Sequence, residues 1–170
     1  MPANGYLLVA VKRSFFAGPE GHPFHPLLVT VPIGAFASSL IFDILTHTRG
    51  HGLPYLVDGA YWLINVGMFG ALVAAVFGVL DFLTIPRGTR AFATAITHVA
   101  FNAVMVVLFS IGFVWRAGDH LDHDKTPWGQ LTLSAVALAF LVGAVWFGGK
   151  LTYHHGMRVA ADPSEKFANP

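Results

Sequence analysis

Four apolar stretches constrain this chain more than any other feature: Pro26–His47, Val57–Leu83, Ala91–Trp115 and Trp128–Lys150. Each exceeds the roughly 20 residues needed to cross a hydrocarbon core of about 30 Å. Lipid offers no water to bond open backbone groups, so a stretch that crosses alone must be helical. Breaker-rich segments separate the four: "RGHGLP" at 49–54, "IPRGT" at 85–89 and "GDHLDHDKTP" at 118–127. Connections this short make consecutive helices antiparallel neighbours. The expected fold is therefore all-α, a four-transmembrane-helix antiparallel bundle. Residues 26–155 would form the membrane domain, 1–25 an N-terminal interfacial segment and 156–170 a tail. No internal repeat is evident beyond the alternation of helices.

Composition supports a membrane setting. Only 11% of the residues are charged and 55% are hydrophobic, against about a quarter charged in soluble domains. The absence of cysteine rules out disulfides, thiolate metal sites and cysteine nucleophiles. Nine histidines remain as the main candidate ligands. A net charge of +1 without a basic tract gives no reason to expect nucleic acid. No nucleophile–base–oxyanion set can be read, so a stand-alone enzyme is not expected.

Basic residues set the expected orientation. Lys12, Arg13, Arg87, Arg90, Lys150, Arg158 and Lys166 fall on one side, and Arg49, Arg116 and Lys125 on the other. Seven against three predicts cytoplasmic termini in a bacterial inner membrane. Trp62, Trp115 and Trp128 would then mark the outer interface. "YLLVAV" at 6–11 is too short for a signal-peptide core. Tyr6–Phe16 reads instead as a segment along the inner face.

Polar residues inside the spans need a reason. Asp43 and Asp81 lie near span ends, where either snorkelling or a role in the interior would account for them. His98 lies eight residues past Arg90, or about 12 Å along a helix, too deep for a short imidazole to reach the headgroups. His98, Asn102, Met105 and Phe109 share one helix face, which should turn into the bundle. Gly67, Gly70, Ala74, Gly78 and Asp81 form a small-residue stripe on the second span, suited to close packing or to a flat ligand. Pro26 suits a first helical position, making His25 the expected N-cap. Pro32 should bend the first span. His154 and His155 close the fourth span, with Gly156 as its cap. There the helix end favours a protonated His155. The "DHLDHD" loop at 119–124 is a second histidine cluster, read as a solvated loop in preference to a divalent-metal site.

The motifs "HPFHPLLVTVPIG", "GVLDFLTIP", "RAFATAITHVAFN" and "KLTYHHGMRV" together resemble a bacterial family of small four-helix membrane proteins of unknown function. The resemblance covers about residues 20–160. It rests on His25, Asp81, His98, Asn102, His155 and Gly156. His154 stands where the pattern has an arginine. The resemblance implies relatives sometimes joined to Rieske iron–sulfur domains, and hence a redox setting.

The leading functional expectation is a haem-binding or electron-transfer module holding a b-type haem. His25 and His98 are its expected axial ligands and His155 the alternate. Asp81, Asn102, Arg87 and Arg90 would flank the haem or its propionates. Two rivals stand beside it. One is a structural or accessory subunit whose polar groups only fix helix register. The other is a proton- or metal-ion-handling protein using Asp81 and His98. Expected partners are the lipid bilayer and a redox protein, with self-association left open.

Overall fold

A computed structural model of the protein describes residues 24–48 and 52–157. Tyr6–Phe16, His22, Arg49 and the tail beyond Met157 lie outside the described residues. The elements are α1 (Phe24–Leu28), α2 (Thr30–Thr48), α3 (Pro54–Phe82), α4 (Arg90–Ala117) and α5 (Trp128–Tyr153). No strand occurs among the described residues. Helices α1 and α2 together make one span of 25 residues, and α3, α4 and α5 span 29, 28 and 26 residues. At 1.5 Å per residue these rods run about 38–44 Å, longer than a hydrocarbon core of about 30 Å, so their ends reach the interface.

The break between α1 and α2 has a covalent cause. Pro32 has no N–H to give to the Leu28 carbonyl. The bonds on either side survive, Val29 N to His25 O (3.0 Å) and Ile33 N to Val29 O (3.2 Å). The chain therefore turns at Val29 without leaving the helical path. His25 lies inside α1 and not at its N-cap, because the helix begins at Phe24. Thr89 caps α4 through its hydroxyl, which accepts from Phe92 N at 3.1 Å. Gly88 precedes it with φ +80°, a conformation that disfavours any side chain.

The helices form a square in which α2 packs against α3 and α5, and α4 packs against the same two. Helices α2 and α4 thus stand on one diagonal and meet through side chains. Phe36 and Phe109 stack at the centre, 3.8 Å apart and 7° from parallel. Ile64, Met105, Ala137 and Leu141 complete this buried core. One end of the bundle carries the α3–α4 turn, and the other carries the α2–α3 and α4–α5 loops. These are the turn end and the loop end. The spacing that put Met105 and Phe109 on an inward face holds, since both are buried.

The small-residue stripe of α3 is a packing surface for the first span. A side chain at Gly67 would meet the Phe36 ring, and one at Gly70 would meet Val31 and Pro32. Trp62, Trp115 and Trp128 are exposed near the loop end, as a belt requires. Trp146, on the half of α5 nearer the turn end, is exposed as well.

Candidate functional site: two imidazoles on opposite helices

At the turn end, α1 and α4 each carry a histidine toward the other diagonal. The Nδ1–H of His25 donates to the Ala74 carbonyl of α3 at 2.8 Å. The Nδ1–H of His98 donates to the Ala144 carbonyl of α5, also at 2.8 Å. A carbonyl can only accept, so each bond puts a proton on Nδ1 and leaves Nε2 as the ring nitrogen not engaged by that carbonyl. Glycines make room for both rings. A Cβ at Gly78 would lie 2.9 Å from His25 Cε1, and one at Gly148 would lie 3.2 Å from His98 Cε1. The two rings stand 6.4 Å apart, centroid to centroid, with planes 89° to each other. Asn102 supports the His98 side. Its Nδ2 donates to the His98 carbonyl at 2.9 Å and lies 3.2 Å from His98 Nε2.

The other candidate residues sit apart from this pair. His155 Nε2 lies 3.0 Å from Thr94 Oγ1, and its ring packs edge-on against His154. Desolvation, with His154 and Lys150 close by, pushes its imidazole below the ordinary histidine value. That direction opposes the pull of the helix end, which favours the protonated ring. Arg87 and Arg90 are exposed on the turn and the first residue of α4. Asp81 is half-buried one turn beyond Gly78, and its carbonyl accepts from Thr84 Oγ1 at 2.7 Å.

The loop end holds a second polar centre, missed in part by the sequence reading. Asp43 does not snorkel: it is 0% exposed and bound by the Arg116 fork. Nη1 reaches Oδ1 at 2.9 Å and Nη2 reaches Oδ2 at 2.7 Å. Thr126 Oγ1 donates to the same carboxylate at 2.8 Å, and Ser134 Oγ accepts from Nη2 at 3.1 Å. Arg116 is thus an interior residue and not a loop cation. Its signal was present in the sequence. Phe36 to Asp43 and Phe109 to Arg116 are both two-turn steps, so both charges continue the buried face. The "DHLDHD" loop folds over this centre. His120 donates to the Arg116 carbonyl at 2.9 Å and faces Asp58 at 3.5 Å, while Gln130 donates to Asp119 at 3.0 Å. No group of three candidate metal ligands gathers among the described residues.

This arrangement, four long apolar helices with both polar centres turned inward, is that of a membrane bundle. The model of one family, described as Predicted membrane protein (DUF2231), matches residues 21–161. The chain belongs to that family. It is an integral membrane protein of four spans. No curated protein and no solved structure matches this DUF2231 chain.

Proposed function

We propose that this DUF2231 protein binds a b-type haem between His25 and His98 and passes electrons in the membrane. The single observation that carries the reading is the geometry of the histidine pair. An iron held by two imidazoles sets the ring centroids about 6.3 Å apart, from metal–nitrogen bonds of about 2.0–2.1 Å and a ring radius of about 1.1 Å. The rings stand at 6.4 Å. A carbonyl partner on the far nitrogen is also the usual way a ligating histidine is oriented and made more basic. Both histidines have one.

The residues would hold the group after two rearrangements. Asn102 must release His98 Nε2, and the helices must part where Gly78 and Gly148 seat the rings. Bound haem would supply one-electron chemistry, while the protein sets its potential through the axial imidazoles and the apolar surroundings. His155 is not proposed as a ligand, because its Nε2 is directed to Thr94.

The test is a spectrum of wild-type protein, purified in detergent after expression with ample haem. A Soret band with sharp α and β bands on reduction is expected. A colourless protein that also fails to take up added haemin would leave the histidines as interhelical bonds, the role of an accessory subunit.

The orientation belongs to the same proposal. The turn end carries the exposed Arg87 and Arg90, and burial removes Arg116 from the opposing basic count. This charge distribution supports a cytoplasmic turn end, and with it a cytoplasmic-side haem site, in a bacterial inner membrane. A reporter fused after Pro170 should be active in the cytoplasm only, and periplasmic activity would reverse the assignment.

A further inference from the structure

Three side-chain meetings lie on the line between α1–α2 and α4. They are His25 with His98, Phe36 with Phe109, and Asp43 with Arg116. Each joins residues 73 positions apart. A fixed offset between residues that touch is what a two-fold axis produces, because on such an axis a position meets its own counterpart.

The remaining helices obey an offset of their own. On α3 the buried positions include Ala60, Ile64, Gly67 and Ala74; on α5 they include Gln130, Ser134, Ala137 and Ala144. These match one to one at a shift of 70 residues. Ala74 and Ala144 are also the two histidine acceptors, and Gly78 and Gly148 the two ring seats. The exposed faces repeat in the same way: Val31 with Val104, Ile41 with Val114, Val66 with Val136, Leu72 with Val142 and Val76 with Trp146.

We infer that the chain is two copies of one membrane hairpin facing each other across a pseudo-two-fold axis along the bundle. Each copy supplies one histidine and the seat for its own ring: Ala74–Gly78 seats His25, and Ala144–Gly148 seats His98. Helices α1–α2 and α4 run the same way, so the axis lies along the membrane normal, as in other parallel membrane repeats. On this inference the chain carries a repeat where its sequence alone shows none. Little side-chain identity survives beyond "AAVFG" at 74–78 and "AVWFG" at 144–148, and what repeats is the burial pattern. The pair Asp43–Arg116 is where the copies differ most. Two like charges on the axis would repel, whereas opposite charges bind and fix which half faces which.

The duplication is tested without haem. The chain lacks cysteine, so spin labels can be placed at will on exposed positions. A two-fold axis makes the Val31→Cys/Val142→Cys distance equal to that of Leu72→Cys/Val104→Cys. It likewise makes Ile41→Cys/Val136→Cys equal to Val66→Cys/Val114→Cys. Matching distance distributions within each reciprocal pair are expected, and reciprocal pairs that differ by more than their widths would overturn the duplication.

The role of the seats rests on the haem reading and is tested on the loaded protein. Gly78→Ala and Gly148→Ala should each shift the haem reduction midpoint and the ferric electron paramagnetic resonance signal, by similar amounts. Gly118→Ala, with nothing within 4 Å of the new methyl, should shift neither. Seat variants that lose only thermal stability, with midpoint and resonance unmoved, would make the glycines packing residues and no more. Haem-free wild-type protein with matching reciprocal distances would overturn the seat role while leaving the duplication standing.

Discussion

Replacing His98 by alanine should convert the six-coordinate, low-spin haem spectrum to a five-coordinate, high-spin one. His98 reaches the pair from α4 and His25 from α1, so each variant leaves the opposite imidazole in place. His25→Ala should therefore give the same change. The fold should tolerate both. Each truncation removes a hydrogen bond to a helix carbonyl, and His98→Ala also the Asn102 contact, at a net loss of about 1 kcal/mol per bond. Free imidazole added to either variant should enter the vacated space and restore the six-coordinate bands. His155→Ala should leave the spectrum unchanged, because that ring bonds Thr94. His120→Ala, at the opposite end of the bundle, should do so as well. A six-coordinate spectrum surviving in both His25→Ala and His98→Ala would place the haem elsewhere.

The second large effect is on stability. Arg116→Ala leaves the Asp43 carboxylate buried with Thr126 as its remaining side-chain donor. Breaking a buried pair by removing one partner costs about 3–5 kcal/mol, a large share of the roughly 5–15 kcal/mol that holds a typical domain together. Bidentate geometry and two hydroxyl partners put this pair among the strong ones. Asp43→Ala should be comparably damaging, since it strands the guanidinium. The exchange Asp43→Arg with Arg116→Asp should recover most of the loss, because the two positions face each other across the axis. Replacing both by leucine or methionine should cost far less than either single change, as buried ion pairs exceed their apolar substitutes by little or nothing. Equilibrium unfolding in detergent reads all four. Single variants within about 0.5 kcal/mol of wild type would contradict the assignment, that being the ordinary range of surface substitutions.

Sequence made the bundle legible because four apolar runs and three breaker clusters are local signals. The spans Phe24–Thr48, Pro54–Phe82, Arg90–Ala117 and Trp128–Tyr153 lie within three residues of those read from hydropathy. The inward face of α4 was legible for the same reason, helical spacing being a property of one segment. Asp43 and Arg116 were not paired because each sits near a span end, where a charge reads as interfacial. The two become partners only through contact across 73 residues. His155 closes α5 at the same end of the bundle as His25 and His98, and sequence alone does not say that its ring turns to Thr94. The glycine–alanine stripe was read for what it could admit. Its actual occupants are the Phe36 ring and the His25 imidazole.

In the proposed site His25 and His98 would hold one haem iron between them. Low-temperature electron paramagnetic resonance of ferric, haem-loaded wild-type protein tests it most directly. Ring planes kept near the 89° of the free pair around a bound haem iron would give a low-spin signal of large anisotropy, lost in His25→Ala and in His98→Ala. A high-spin signal from the wild type, or no haem signal after loading, would contradict it.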